Sequence, residues 1–135
     1  MNRLKKNYLL VVAHPDDEAL GAGATVSKLT SLGHNVALCI MCSQAQARAF
    51  RPGDMELESD LHSRARLLGI DTIYEGNFPN IEMNNVSHLN LVQFIEQSII
   101  NSSPDIIITH HPSDTNNDHM HTSMACQAAI RLFQR

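Results

Sequence analysis

The segment Leu9-Leu10-Val11-Val12-Ala13-His14-Pro15-Asp16-Asp17-Glu18 decides how this chain folds. Its first residues form a short continuous apolar run with β-branched members, which is typical of a strand buried on both faces of a parallel sheet. Pro15 has no N–H to donate and favours an extended residue before it, so the strand is predicted to end at His14. Ligands in open α/β sheets bind at the carboxyl ends of strands. The strand therefore brings an imidazole and three carboxylates to a position where a ligand-binding site is expected.

A helical pattern begins directly after this run. Small residues from Gly21 to Ala24 permit close packing on a sheet, and helix-compatible spacing continues to Leu29. Asp16 and Asp17 fall at the N-cap or in the first turn, where free backbone N–H groups and the helix dipole favour negative charge. Capping explains one carboxylate, but it leaves a neighbouring histidine and two further acids without a purpose. A functional site is therefore favoured over capping alone.

A second polar segment follows another strand-like run. Residues 104–109 are largely apolar and β-branched, and residues 110–121 then hold four histidines and two aspartates. Neutral imidazole and carboxylate oxygens together suit Zn²⁺, which in catalytic sites takes three protein ligands and keeps one position open. A polar surface loop is the alternative. Because both segments follow strands of one predicted sheet, convergence on one site is favoured.

Strands and helices alternate along the chain. The sequence predicts strands near 7–13, 35–42, 71–75 and 104–109, and helices near 18–32, 54–68, 87–101 and 119–133. Such alternation is typical of β-α units with right-handed crossovers around a parallel sheet. With 135 residues, of which 43% are hydrophobic, the chain is expected to form a single α/β domain over residues 1–135.

The two polar segments also carry a family resemblance. Residues 13–18 resemble the signature of the PIG-L/LmbE-like zinc-dependent de-N-acetylases, which are N-acetylglucosaminyl deacetylases, and residues 109–119 resemble their second motif. The segments 64–70 and 94–96 resemble helices of the same family, so the likeness runs from about Tyr8 to Arg131. It implies a Rossmann-like three-layer fold with a mostly parallel sheet. It also implies a hydrolase that removes the N-acetyl group from an N-acetylglucosamine-type sugar or sugar conjugate.

The resemblance assigns roles to particular residues. The positions that bind zinc in the family are His14, Asp17 and His119 here, and the general base falls on Asp16. The implied cofactor is Zn²⁺, although the same ligands accept other divalent metals. A zinc ion lowers the pKa of bound water to about 7, and a neighbouring carboxylate can then take its proton. Glu18 is predicted to cap the helix or to orient a ligand, and Asp118 is predicted to orient an imidazole. The full set of possible supporting residues is Glu18, His111, Asp114, Asn116, Asp118 and His121.

One position departs from the family pattern. Many members place a histidine three residues before the last zinc ligand, where it protonates the departing amine or polarises the carbonyl, and this chain has Asn116. An asparagine cannot deliver a proton, although its amide can hydrogen-bond an oxyanion. The acid for the leaving group is therefore open among Asp16, His111, His121 and a residue outside this chain.

Composition limits the class of partner. A net charge of −4 argues against a nucleic-acid-binding surface. No apolar stretch is long enough to cross a bilayer, and the basic residues before the first strand do not begin a signal peptide. Cys39, Cys42 and Cys126 are an odd number, which is not a closed disulfide framework. We expect a cytoplasmic protein that acts on a small-molecule N-acetylated sugar or glycoconjugate, with no nucleic acid, no membrane span and a homo-oligomer left open.

Two further patterns have weaker functional interpretations. Cys39 and Cys42 form a C-x-x-C pair, but they lie in an apolar run that we interpret as a strand, on which residues three apart face opposite sides. Core packing is therefore favoured over a metal or redox role. Arg48 and Arg51 lie in a polar loop, where contact with a substrate hydroxyl or phosphate is a weaker hypothesis than solvation.

Two other functions stay open. An Asp-His cluster also suits a two-metal phosphoesterase, although the second strand ends in Met41, Cys42 and Ser43 instead of bridging carboxylates. A non-catalytic metal-binding remnant of the deacetylase fold is the other, because the usual histidine is absent and the chain stops within a predicted helix. Family members typically continue further, so we expect a fold truncated at its C-terminus, and the activity of this short chain is in question.

Overall fold

The structure, a computed structural model, describes residues 4–43 and 54–133. Arg48 and Arg51 lie outside these ranges. The strands are β1 (Asn7–Val12), β2 (Asn35–Ile40), β3 (Thr72–Glu75) and β4 (Ile106–Thr109). The helices are α1 (Asp17–Ser31), α2 (Asp54–Leu67), α3 (His88–Ser102) and α4 (Asn117–Ile130), with short 3₁₀ turns at Met83–Asn85 and Arg131–Phe133.

The four strands form one parallel sheet in the order β3-β2-β1-β4. Leu10 of β1 lies opposite Leu38 of β2 on one side and Ile108 of β4 on the other. The prediction of an α/β fold with a parallel sheet is confirmed. The chain runs outward from β1 to β2 and β3, and then returns to the opposite side of β1 to form β4. The strand order therefore reverses between β1 and β4, and such a switch point opens a crevice at the carboxyl ends of the strands.

Helices cover both faces of the sheet and complete the three layers. Leu9 and Val11 point into a core formed with α3 and α4, where Ile95 is fully buried. Leu10 and Val12 point into the opposite core, which α1 and α2 close. This alternation explains the continuous apolar run of β1, because both faces of the strand are removed from water.

The predicted ends of several elements need correction. Strand β1 ends at Val12 instead of His14, and β4 begins at Ile106 instead of residue 104. Strand β2 ends at Ile40 instead of residue 42, and Cys42 makes an isolated bridge to Asn77. The alternation of a strand therefore does not extend to Cys42, and both Cys39 and Cys42 lie in the same buried cluster. Helix α4 begins at Asn117, two residues before the predicted start, because Asn116 caps it.

The segment after β3 is largely polar in sequence, but part of it belongs to the core. Gly76 continues the backbone hydrogen bonding of the sheet, since its N–H donates to the Ile40 carbonyl at 2.7 Å. Met83, in the first 3₁₀ turn, is fully buried. The segment thus lies against the ends of the strands. Within the described residues, no helix is long and apolar enough to cross a membrane.

Candidate metal centre

Two segments that are distant in sequence meet at the carboxyl ends of β1 and β4. The parallel pairing sets Val11 opposite Thr109, so the residues that follow each strand emerge side by side. His14 and Asp17 come from the β1 side, and His119 comes from the start of α4. The site therefore lies at the switch point of the sheet.

The carboxylate of Asp17 lies at the centre of the cluster. Its Oδ2 is 3.5 Å from His14 Nδ1 and 3.3 Å from His119 Nε2, and it accepts the backbone N–H of His14 at 2.9 Å. Burial alone would raise the pKa of Asp17, but the contacts with His110, His14 and His119 hold it well below the usual range. Asp17 is therefore an anion throughout the physiological range of pH.

A second carboxylate holds the far side of the His14 ring. His14 Nε2 lies 2.8 Å from Oδ2 of Asp118, which is fully buried. Asp118 also accepts the backbone N–H groups of Ile81 at 2.5 Å and Met83 at 3.1 Å. Burial would raise the pKa of Asp118, but these donors and His14 lower it. With Nε2 engaged, His14 presents Nδ1 toward Asp17.

The His14 pKa reflects the same two carboxylates. Burial by itself lowers the pKa of this imidazole, but the hydrogen bonds and negative charges of Asp17 and Asp118 prevail and raise it. The pocket therefore favours a positive charge between these two aspartates. A divalent cation would supply the same compensation.

The ring of His119 is held in a corresponding way. Its Nδ1 lies 3.0 Å from Oδ2 of Asp114, and its Nε2 faces Asp17. The backbone N–H of Asn116 and the side chain of His119 lower the pKa of Asp114. Each imidazole thus has one nitrogen against a carboxylate and the other directed at Asp17. Carboxylates placed in this way fix the tautomer and the orientation of metal-ligating histidines.

His110 belongs to the same cluster, although the sequence pattern predicted no separate role for it. Its ring stacks on His119 with the centroids 3.9 Å apart and the planes 13° apart. Its Nε2 accepts the backbone N–H of Ala13 at 2.9 Å and lies 3.4 Å from Asp17 Oδ2. The sequence signal for it is its position directly after β4, on the strand that pairs with β1.

Three groups of side chains place ligand atoms within 4.8 Å of one another: His14, Cys42 and Asp118; His14, Asp17 and His119; His110, Asp114 and His119. The geometry of the rings separates them. A metal lies in the plane of a ligating imidazole, about 2.0–2.1 Å from the nitrogen. The stacked planes of His110 and His119 cannot both contain one ion. The rings of His14 and His119 are tilted by 45° with centroids 5.3 Å apart, which allows their lone pairs to converge.

The group that contains Cys42 is also a poor cation site. Burial, together with the charges of Asp118 and Asp17, raises the pKa of the Cys42 thiol to about 12. In addition, Asp118 is already bonded to His14 and to two backbone N–H groups. The set of His14, Asp17 and His119 therefore fits a cation best among the described residues, because it offers two nitrogens and one oxygen at the edge of the crevice.

Asp16 stands beside this set at the N-cap of α1. It is exposed, and its φ of 119° is a conformation that residues other than glycine rarely adopt. The Asp16 backbone is fixed from both ends. Its carbonyl accepts the N–H groups of Ala19 and Leu20, and its own N–H donates to Glu18 Oε2 at 2.8 Å.

Glu18 holds the backbone of Asp16 in place. Its side chain is fully buried, and Oε1 accepts Arg64 Nε at 3.2 Å. Arg64 lies on α2, so the start of α1 is bonded to a second helix. The contacts of Glu18 correspond to the predicted capping role, because one oxygen binds the helix start and the other binds Arg64.

The three remaining residues that the sequence selected lie at the margin. Asn116 is exposed, and its Oδ1 caps α4 by accepting the N–H groups of Asp118 and His119. His111 is exposed, and its Nδ1 accepts the N–H of Ser113 at 3.1 Å. No hydrogen bond or ion pair within the described residues joins His121 to the cluster.

Comparison with known proteins identifies the family. Residues 9–130 match the PIG-L family profile, described as GlcNAc-PI de-N-acetylase. The chain belongs to the PIG-L family. PIG-L deacetylases are typically metal-dependent, and the His14, Asp17 and His119 set offers this PIG-L chain a candidate for the metal.

Individual relatives agree with the assignment to the PIG-L family. The protein named uncharacterized deacetylase YaiS, from Escherichia coli K12, is 27% identical over 137 residues, which cover 96% of this chain and 70% of YaiS. The N,N'-diacetylchitobiose deacetylase of Pyrococcus horikoshii has a TM-score of 0.83 at 23% identity, over 96% of this chain and 51% of that one.

The fold is shared by a protein with a different activity. GalB of Pseudomonas putida KT2440, a 4-carboxy-2-hydroxymuconate hydratase, has a TM-score of 0.77 at 16% identity, over 96% of this chain and 57% of GalB. Likeness to solved structures at such identities shows the fold alone. This PIG-L chain spans about half the length of the two solved structures.

Proposed function

We propose that this chain carries a metal-dependent N-deacetylase site, in which His14 Nδ1, a carboxylate oxygen of Asp17 and His119 Nε2 hold the metal. The observation that carries the proposal is the convergence of these three groups from the β1 and β4 sides of the switch point. Asp118 and Asp114 support it, because each lies against the far nitrogen of one of the two imidazoles.

Zinc is the metal that we propose for this site. Two imidazole nitrogens and one carboxylate oxygen, with room for a fourth ligand, are typical of catalytic Zn²⁺. When bound, Zn²⁺ supplies Lewis acidity that acidifies water and polarises a carbonyl group. The same donors accept other divalent ions, so metal analysis belongs to the test of the proposal.

The proposed substrate is an N-acetylated amino sugar or its glycoconjugate. The family description names a de-N-acetylase of a GlcNAc conjugate, and the Pyrococcus neighbour is named as a deacetylase of diacetylchitobiose. Asp16 at the edge of the site is exposed, which leaves that side of the site open to such a substrate.

We assign the proton transfers to Asp16. As the oxygen of the attacking water bonds to the carbonyl carbon, the Asp16 carboxylate takes one of its protons. The C–N bond then breaks, and Asp16 passes this proton to the departing nitrogen, which yields acetic acid and a free amine. This assignment settles on one of the acids that the sequence left open. His111 is engaged with Ser113, and His121 makes no described bond to the cluster.

The test combines metal analysis with release of amine from a panel of N-acetylated sugars. We expect Asp16→Asn to keep its metal and lose turnover, because the ligands are intact and the base is gone. We expect His119→Ala to lose both. His62→Ala is the matched control, because His62 is 46% exposed and pairs with Glu75 away from the cluster.

Several outcomes would overturn the proposal. Full metal occupancy in His119→Ala would contradict the ligand assignment. Bound metal with no amine release from any substrate would favour a non-catalytic remnant. Hydrolysis of phosphate esters by the same preparation would favour the phosphoesterase, although the stacked rings of His110 and His119 argue against a second ion in that part of the site.

A further inference from the structure

We propose that His110 is a positioning residue that sets the separation between the two segments that hold the metal. The inference rests on the proposed function. His110 lies immediately after β4, and 12% of its side chain is exposed. Its Nε2 contacts Ala13 on the β1 side, and its ring face contacts His119 on the α4 side. His110 therefore spans the junction between the two halves of the site.

The contact with the β1 side is a hydrogen bond to the backbone. His110 Nε2 accepts the N–H of Ala13 at 2.9 Å, across 97 positions of sequence. Ala13 immediately precedes the proposed ligand His14. The bond therefore fixes the backbone from which His14 emerges, and it does so at a point where the β1–β4 ladder, which ends at Val11 and Thr109, has stopped.

The contact with the α4 side is the ring stack on His119. Parallel planes 13° apart, with centroids 3.9 Å apart, limit how far the His119 ring can tilt. Because a metal lies in the plane of its ligand ring, a neighbour stacked on the face restricts the ring without competing for the ion. Asp114 holds the edge of His119 and His110 holds its face, so the two together fix the direction of Nε2.

The hydrogen bond also selects a tautomer. An Nε2 that accepts from Ala13 must be unprotonated, so its proton resides on Nδ1. The contact of the same nitrogen with Asp17, at 3.4 Å, would require a proton there, but the Ala13 contact is shorter and the backbone N–H can only donate.

The test measures metal binding by substituted proteins directly. His110→Ala removes the acceptor and the stack, His110→Phe retains a ring that can stack, and His110→Gln retains an acceptor oxygen. We expect His110→Ala to bind Zn²⁺ roughly 10- to 100-fold more weakly, as is typical when a residue that orients a metal ligand is removed. The other two variants should fall between it and the unsubstituted protein.

Co²⁺ absorption provides a readout that a merely structural role would not move. Visible bands of bound Co²⁺ report ligand geometry, so we expect them to change in His110→Ala and to stay unchanged in His88→Ala, an exposed control. If His110→Ala does not fold, His110→Gln and His110→Phe carry the test, and both should show altered bands.

The outcomes separate this inference from the proposed function. If the unsubstituted protein binds neither Zn²⁺ nor Co²⁺, the proposed metal site itself is wrong. If it binds both, and the three variants retain its Zn²⁺ affinity within twofold and its Co²⁺ bands, the positioning role of His110 is wrong while the metal site stands.

Discussion

Substitution of Asp118 by asparagine is predicted to lower the stability of the metal-free protein as well as its affinity for metal. Asp118 is fully buried, and its two oxygens have different partners. Oδ2 serves His14 Nε2 and the Ile81 N–H, while Oδ1 accepts the Met83 N–H. Asparagine has nearly the same shape but only one acceptor oxygen, so it cannot serve both sides.

The expected loss follows from counting these donors. If the asparagine oxygen faces His14 and Ile81, its NH₂ group opposes the Met83 N–H, and an unpaired buried donor costs about 1–3 kcal/mol. The two bonds that remain lose the assistance of a charge, which costs about 1 kcal/mol each. The free energy of unfolding should therefore fall by about 3–5 kcal/mol, which is a large part of the roughly 5–15 kcal/mol typical of a domain.

The assay is urea unfolding at pH 6 in the presence of a chelator, so that the loss of metal does not contribute to the difference. Asp114→Asn is the matched control, because Asp114 lies against His119 but its carboxylate is open to water. We expect Asp114→Asn to weaken metal binding while changing the stability of the metal-free protein far less. A loss below about 1 kcal/mol in Asp118→Asn would refute the reasoning that one amide oxygen cannot replace a carboxylate that serves His14, Ile81 and Met83.

Two further predictions concern pH and backbone strain. The pKa of His14 is raised above 6.5 in the folded protein, so its contribution to the stability of the metal-free form is complete below pH 6.5 and is lost as pH rises through the folded pKa. Zn²⁺ affinity should rise over the same range, because a ligand nitrogen must be unprotonated, and a titration in which both rise together would contradict this assignment. Ile81 is 52% exposed and has a φ of 68°, which costs a β-branched residue about 1–2 kcal/mol, so Ile81→Gly should stabilise the protein by up to about 1 kcal/mol in urea unfolding. A marked loss of stability in Ile81→Gly would show that packing of the isoleucine outweighs the strain.

Local sequence signals were enough to predict most of the fold. The continuous apolar runs of β1 and β4 predicted buried parallel strands, and Gly33 and Gly69, which have φ of 86° and 78°, follow α1 and α2 as glycines commonly follow helices. Both signals act over a few residues, since one depends on burial and the other on the steric freedom of glycine. They therefore predict elements well without predicting which elements are neighbours.

The contacts around the site were harder to predict because they depend on distant pairings. No local pattern predicts that Asp118 accepts the N–H groups of Ile81 and Met83, since residues more than 30 positions apart must first be brought together by the fold. Core packing of Cys42 was predicted for a wrong reason. That prediction assumed that Cys42 lies on β2, but β2 ends at Ile40 and the alternation of a strand stops there. The error for Cys42 lies in where regular structure ends, which short-range patterns define least well.

The register of β1 against β4 links the fold to the chemistry. Val11 pairs with Thr109, so His110 emerges one residue beyond the ladder, where its ring can reach the N–H of Ala13. A shift of one residue would move His110 by about 3.3 Å along the strand and turn its side chain to the other face of the sheet. The hydrogen bond to Ala13 and the stack on His119 would then both be lost. These two contacts can form only in the native register, so the residue that we propose to position the metal ligands also favours the strand pairing that brings them together.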